Sequence, residues 1–385
     1  MIGRLEICEA LSRADVGDFL ELPYRLYAGH PHWVPPLRSA QRKVFTRKTA
    51  FFEHGQMALF LARRDGQAVG RIAAIHNHAH NRQHNDRVGF FGFFEVDARD
   101  EQATEVVDAL VRSAERWLTG HGLTDIRGPV NPSMNGECGL LIDGFDLPPV
   151  ALMPYNPPEY APLLESAGLA KCKDLFAYEV VADKVEGGAM ARERMERLRT
   201  LTKRRHPELE IRPIDMRNFD TEIERFMAVF EQARRNNWGY VPVTSAEMRE
   251  TAHELKGVVD PEIILLATVD GQPAGASLAI PDVNRGLAAA GGRLLPLGFV
   301  RFLRAMRSVH VIRVIGIAAL PQYRHMGIAA LLMLETISRG LPKGYDTAEA
   351  SWVLEDNVMS NRTIQAGLES RLYKTYRLYE KTIER

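Results

Sequence analysis

The chain has 385 residues, 45% apolar and 25% charged, with 49 Lys plus Arg balancing 49 Asp plus Glu. That length exceeds one ordinary hydrophobic core and predicts two or three domains of soluble, globular composition. Zero net charge gives no general attraction to nucleic acid, and no nucleic-acid partner is assigned.

Three scattered cysteines, Cys8, Cys138 and Cys172, make neither a disulfide framework nor a zinc spacing and fit a reduced cytosol. The N-terminus carries Glu6 and Glu9 where a signal peptide needs an apolar core. No apolar run is long enough to span a bilayer, so a cytoplasmic location is expected. An amphipathic helix leads to Trp33-Val34-Pro35. Residues 59–75, LFLARRDGQAVGRIAAI, then predict strand, Asp-Gly turn and strand. His76, His78, His80 and His84 follow. On a continuing strand the first three would share a face and could bind a metal. The intervening Asn77, Asn81, Arg82 and Asn85 read instead as a polar loop, and no metal is assigned.

The strand Phe90–Val96 ends near Glu95, a carboxylate that could accept an amine proton in a cleft or simply close the strand. Asn131, Asn135, Glu137 and Cys138, with Tyr155 and Asn156 beyond, occupy a long polar loop of the kind that often carries function. Cys138 has no basic partner within its segment and reads as a packed thiol. Ala167-Gly168-Leu169 opens a strand ending at Tyr178-Glu179. The segment 183–208 reads as a linker with a charged helix, Met190–Arg205, bearing seven basic and two acidic side chains.

The second half predicts a strand Leu209–Pro213, helices Thr221–Asn236 and Ser245–Lys256, a hairpin over 263–280 and a strand His310–Ala318. Helix Arg324–Arg339, strand Asp346–Val353, helix Met359–Ala366 and strand Tyr373–Glu380 close it. This hairpin, ILLATVDGQPAGASLAI, repeats the first at a fixed offset: Leu61, Ala62, Asp65, Gly66, Gln67 and Gly70 match Leu266, Ala267, Asp270, Gly271, Gln272 and Gly275. Tyr240-Val241-Pro242 answers Trp33-Val34-Pro35, and Ala366-Gly367-Leu368 answers Ala167-Gly168-Leu169. Agreement at start, middle and end points to duplication of a whole domain.

The second half alone carries a phosphate cradle. A Val/Ile-rich strand runs through Leu320-Pro321-Gln322-Tyr323 into Arg324-His325-Met326-Gly327-Ile328-Ala329 and an apolar helix. A helix N-terminus offers unpaired amides and a positive dipole end. Gly327 and Ala329 leave room for a pyrophosphate, and Arg324 adds a charge-assisted contact. The first half has Asp97-Ala98-Arg99-Asp100-Glu101-Gln102 there, with three acids and no glycine.

Arg-x-x-Gly-x-Ala between strand and helix, followed by the Glu355-Asp356-Asn357 turn, resembles the acyl-CoA motifs of the GNAT superfamily. The resemblance implies an α/β fold with a mixed sheet, in two tandem GNAT-like domains. It divides the chain into 1–182, a degenerate copy on the acceptor side, the linker 183–208, and 209–385 with the acyl-CoA site. It implies acyl-CoA as co-substrate and no permanently bound cofactor. Gly316, Ile317 and Ala318 would offer backbone amides to the thioester and pantetheine arm; Arg324, His325, Met326, Gly327, Ile328 and Ala329 would hold the pyrophosphate, with Asn357 nearby. The family's helix tyrosine, acid for the departing thiolate, falls near Thr363 or Ile364 and is absent; Tyr373 or Tyr376 could substitute, and Glu355 or Glu95 could serve as base.

Further strings, His32-Trp33-Val34-Pro35-Pro36, Phe52-Glu53-His54, Gly89-Phe90-Phe91-Gly92-Phe93-Phe94-Glu95, Gly128-Pro129-Val130-Asn131-Pro132-Ser133, Met153-Pro154-Tyr155-Asn156-Pro157-Pro158 and Tyr373-Lys374-Thr375-Tyr376-Arg377, resemble the bacterial ceramide synthase family across nearly the whole chain. That implies fatty acyl transfer from acyl-CoA to the amine of a sphingoid base. A transferase for a soluble amine and a non-catalytic acyl-CoA-binding regulator are the alternatives. Between Val283 and Leu334 there are seven arginines and no acid. LLPLGFVRFLRAM within this stretch reads either as an interfacial helix touching a membrane surface, or a lid, or as a core helix with snorkelling arginines.

Overall fold

The computed structural model describes residues 3–181, 188–368 and 370–384. The expected boundary at 182/183 lies outside the described residues. Contacts group the chain into two compact units: Met1–Leu175 with Gly286–Arg304 and Lys374–Arg385, and Phe176–Arg285 with Ala305–Tyr373.

In chain order the first part comprises β1 (Leu5–Glu9), α1 (Arg13–Leu26), α2 (Arg38–Phe45), β2 (Gly55–Arg64), β3 (Gln67–Asn77), α3 (His78–His84), β4 (Val88–Val96), α4 (Ala103–Gly120) and β5 (Asp125–Gly128). Short strands β6 (Val130–Asn131), β7 (Glu137–Cys138) and β8 (Leu140–Asp143) precede α5 (Tyr160–Ser166), β9 (Ala170–Val181) and α6 (Gly188–Arg205). The remainder comprises β10 (Leu209–Pro213), α7 (Phe219–Arg234), α8 (Ser245–Leu255), β11 (Leu265–Val269), β12 (Gln272–Pro281), α9 (Asn284–Ala290), α10 (Gly298–Met306), β13 (Val311–Ala319), α11 (Ile328–Gly340), β14 (Thr347–Leu354), α12 (Val358–Leu368) and β15 (Arg371–Thr382).

In the first unit β1 to β4 pair antiparallel in order, and β5 joins β4 in parallel. Ser12 and Asp15 form a reciprocal capping box that starts α1. The apolar face of α4, with Val106, Val107, Leu110, Val111 and Leu118, is buried against Ala62, Ile72, Ala74, Phe91 and Phe94. Tyr379 to Thr382 run antiparallel to Gly128 to Asp125, so the end of the chain completes this sheet. The polar loop expected after His76 is instead a short helix, because β3 runs on to Asn77 and the Asn77 side chain accepts the His80 amide, capping α3.

In the second unit β10, β11, β12 and β13 pair antiparallel, and β14 joins β13 in parallel. α7 packs Phe226, Val229 and Phe230 on one face of the sheet, beside Leu266, Ala276 and Ala318; α11 packs Ile328 and Leu332 on the other, beside Leu265, Ala267 and Ala274.

The two hairpins share one register. Leu61 faces Arg71 and Ala62 faces Gly70 before a bulge; Leu266 faces Ala276 and Ala267 faces Gly275 before a bulge at the matching place. Both turns place Asp and Gly at positive φ, 50° and 80° at Asp65-Gly66, 50° and 75° at Asp270-Gly271. This is the primed turn that Asp-Gly favours, because both central residues must be left-handed.

Candidate active site

The site is organised by a break in the β13 ladder. β13 pairs with β12 from Ala319 back to Gly316 and again from Val314 to Ile312, which leaves Ile315 as the extra residue of a bulge. On its other edge β13 pairs with β14 only across Val311–Val314, against Thr347–Ala350. Beyond Val314 the two strands part. Backbone groups of residues 316–318 on the β14 side therefore have no ladder partner in that strand, an arrangement able to bind a carbonyl or an extended arm. Gly316 is required for packing as well: a Cβ there would stand 2.9 Å from the Phe230 ring.

β13 leads into a 3-10 turn, Pro321–Met326, and then Gly327 at φ 71° and ψ 22°. The expected continuous helix Arg324–Arg339 is thus divided, because a left-handed residue interrupts the hydrogen-bond ladder, and α11 begins only at Ile328. The Leu331 amide bonds the Gly327 carbonyl at 3.1 Å. The amides of Ile328, Ala329 and Ala330 precede it and point out of the positive end of α11. Nothing lies within 4 Å of where a Gly327 Cβ would sit, so the cradle is open to a phosphate. Arg324, His325 and Ala329 are exposed at its rim. Met326 and Ile328 turn their side chains into the core, so they can serve an anion only through the backbone. Asn357 caps α12: its side-chain oxygen accepts the Ser360 amide at 3.2 Å. The carbonyl of half-buried Glu355 accepts from Asn361 at 3.2 Å, in the turn before α12.

A buried polar group that the sequence alone does not reveal flanks the point of separation. Glu349, 2% exposed, sits on β14 opposite Arg313, one pair before the ladder ends. Its carboxylate accepts the hydroxyls of Ser351 and Tyr373. Arg313, also buried, donates from Nε to Ser351 Oγ at 2.9 Å. A buried carboxylate needs such donors. The only signal in the sequence is an acid inside a predicted strand, which ordinarily reads as its solvent face. Tyr373, half-buried, joins this group in the second unit. Tyr376 does not: it is wholly buried in the first unit, opposite Leu141 of β8.

The first unit contains the same break, filled. By the shared register Phe90, Phe91, Glu95 and Val96 stand where Arg313, Val314, Ala318 and Ala319 stand in the second unit. β4 pairs with β5 only to Phe90. Here, however, the Phe93 amide donates to Asn131 Oδ1 at 2.6 Å, and a Cβ on Gly92 would collide with the Val130 carbonyl. In the ladder Gly92 stands opposite Ala73 as Gly316 stands opposite Leu278, and the amide of the next residue, Phe93, is already bonded. In the loop before α4, Arg99 bonds its own neighbour Asp97 at 2.9 Å, and Asp100 pairs with Arg64. Asn131, read from sequence as a loop residue of open function, is thus a plug.

Glu95 is held in this filled break. It accepts from Tyr27 at 2.7 Å and Tyr160 at 2.9 Å, with the Arg71 guanidinium 3.7 Å away. Burial pushes its carboxyl above the usual range, against the opposing pull of Arg71 and the two hydroxyls. A carboxyl whose folded pKa exceeds its unfolded value adds stability that is full below the unfolded pKa and is lost as pH rises through the folded one. Unfolding midpoints in urea should therefore fall with rising pH above about 4.3 by more in the parent protein than in Glu95→Gln. Parallel curves would place the Glu95 pKa at its unfolded value.

The histidines form no ligand set: among the described residues no three His, Cys, Asp or Glu groups converge on a metal position. The His76 and His78 rings lie 3.9 Å apart, tilted by 51°, and burial pushes His76 down to about 4 and His80 to about 3, so His76 and His80 are neutral at neutral pH. Cys138 is buried.

The acetyltransferase (GNAT) family profile matches residues 227–368, the stretch that holds the open break and the cradle. A bacterial ceramide synthase from Caulobacter vibrioides is 36% identical over 98% of both chains. Protein YghO of Escherichia coli is 32% identical over 97% of this chain and 94% of its own. Among solved structures, a tandem GNAT protein from the clavulanic acid biosynthesis pathway superposes with a TM-score of 0.57 at 13% identity, covering 99% of each chain.

Proposed function

The chain belongs to the GNAT acyltransferase family, and from that premise we propose that this N-acyltransferase moves a fatty acyl group from acyl-CoA to the amine of a sphingoid base. The observation that carries the acyl-CoA part is the break between β13 and β14 running directly into the Gly327-led helix end. A thioester lying along residues 316–318 would have its pyrophosphate at the amides of Ile328 to Ala330, with Arg324 beside it. The sphingoid acceptor is supported by the near full-length match to a bacterial ceramide synthase.

The chemistry needs positioning and polarisation. The acceptor ammonium loses a proton, its nitrogen attacks the thioester carbon, a C–N bond forms, and the C–S bond breaks. The departing thiolate takes up a proton. A backbone amide at Gly316 would stabilise the tetrahedral oxyanion. Glu349 with Tyr373 is the proton-handling pair beside the break; Glu355 is the second candidate in the same unit, and Glu95 the candidate of the first.

Mass spectrometry of products formed by the purified protein from mixed acyl-CoAs, long-chain bases and soluble amines tests this. N-acylated long-chain base is the expected product. Acylation of the soluble amines alone would overturn the acceptor, and thioester binding without turnover would make the protein an acyl-CoA-binding regulator.

A further inference from the structure

Twelve large apolar side chains stand exposed among the described residues, and five of them, Leu295, Leu297, Phe299, Val300 and Leu303, fall within one short stretch. Leu295 is 81% exposed, Val300 62% and Leu297 61%. A soluble surface rarely gathers apolar groups this way without a use.

The stretch is tied down and is no loose loop. Phe302 and Gly298 are buried, and the Phe299 amide bonds the Leu294 carbonyl at 2.6 Å. Just upstream, the Arg38 amide bonds the Gly292 carbonyl at 3.1 Å and the Arg38 guanidinium reaches the Gly291 carbonyl at 3.3 Å. On α10 the buried Phe302 fixes one face. Phe299 and Leu303, four residues apart, share the next with Val300 beside them. Arg301 and Arg304, three apart, lie beyond and are exposed, as is Arg293 at the near end. No acidic residue occurs between Val283 and Leu334.

We propose that residues 293–304 are an interfacial anchor that seats the protein on an anionic lipid surface, the apolar side chains entering the headgroup boundary and the arginines pairing with lipid phosphates. The order of faces, core then apolar then cationic, is that of a helix lying in the plane of an interface. A second copy of the chain fits less well. A twofold contact would bring this patch against itself, with Arg301 and Arg304 facing the same arginines and no carboxylate within the patch to answer them. The anchor does not depend on the acyl-transfer reading, and its test needs no turnover.

The test is sedimentation of the full chain with vesicles of phosphatidylcholine alone or mixed with phosphatidylglycerol, at low and high salt. Binding to the anionic vesicles is expected, weakening with salt. Arg301→Gln with Arg304→Gln should weaken it by about 25-fold, roughly five-fold for each charge near such a surface. Phe299→Ser with Leu303→Ser should abolish it at either salt. The far-ultraviolet circular dichroism spectrum and the urea unfolding midpoint should be unchanged in both variants, which shows that the fold survives. The proposal is overturned if the parent protein stays in the supernatant with anionic vesicles, or if neither pair of substitutions alters binding. It is overturned equally if the apolar substitutions instead dissolve a concentration-dependent dimer, which would assign the patch to a second copy of the chain.

Discussion

Gly327→Glu should weaken acyl-CoA binding by at least 100-fold while the protein remains folded. Gly327 is left-handed, at φ 71°, and its missing Cβ faces open space. A glutamate there would place a carboxylate beside the amides that a pyrophosphate needs. Two like charges at about 4 Å repel by roughly 4 kcal/mol near a protein surface, which is about three orders of magnitude in affinity. The backbone adds its own cost, since a left-handed non-glycine residue is strained by about 1–2 kcal/mol. Gly327→Ala separates the two: it carries the strain without the charge and should lose on the order of ten-fold or less. The matching change in the first unit, Arg99→Glu, should leave affinity unaltered, because Arg99 is exposed and bonded to Asp97 in a loop already acidic. Calorimetric titration of the three variants with acyl-CoA decides this. Equal losses in Gly327→Glu and Arg99→Glu would defeat a single-site enzyme.

The repeat is legible in the amino-acid sequence and the plug is not, and the difference follows from the range of the forces involved. The Asp-Gly turns are local: two left-handed residues between apolar runs fix a hairpin wherever the chain lies. The shared bulge after Ala62 and Ala267 follows from that hairpin. The phosphate cradle is legible for the same reason, although the left-handed Gly327 starts the helix later than periodicity alone implies. By contrast, the bond from the Phe93 amide to Asn131 joins residues 38 apart in sequence, and the Tyr373 contact with Glu349 spans 24. Neither has a local signature. Glu349 sits in Thr-Ala-Glu-Ala-Ser, where alternation suggests a solvent-facing acid. Only the packing of β14 against β13, with Arg313 directly opposite, makes it a buried one. Tyr376 is attractive as an acid only through its proximity in sequence to Tyr373. Their side chains serve different units because the chain passes from one to the other between Tyr373 and Lys374.

Glu349→Gln should cost kcat on the order of 10²- to 10⁴-fold near neutral pH, the usual worth of a positioned general base. The substitution keeps the size of the side chain, but in the parent protein the hydroxyls of Ser351 and Tyr373 donate to different carboxylate oxygens; the single amide oxygen of glutamine keeps one of these bonds, and the other hydroxyl must turn to accept from the new NH2 group. What it removes is the capacity to take a proton. An acceptor amine is mostly ammonium at neutral pH and cannot attack until deprotonated. As pH rises, solvent supplies more neutral amine, and the deficit of the variant should shrink. A deficit caused only by misplaced packing would not follow the amine's titration. Tyr373→Phe gives the second arm. It leaves the carboxylate but removes the hydroxyl that reaches it, so a relay through Tyr373 predicts a loss comparable to that of Glu349→Gln. A direct role for Glu349 predicts a much smaller one. Glu355→Gln and Glu95→Gln belong in the same series. Glu95 is already engaged by Tyr27, Tyr160 and Arg71 inside a filled break, so its variant should flatten the dependence of stability on pH and leave the rate profile in place. The measurement is kcat against pH for all four variants, with acyl-CoA affinity determined alongside. If Glu349→Gln keeps the parental rate over the whole range while Glu355→Gln or Glu95→Gln loses it in the amine-dependent manner, the base is the carboxylate lost and Glu349 serves only to hold Tyr373 and Ser351.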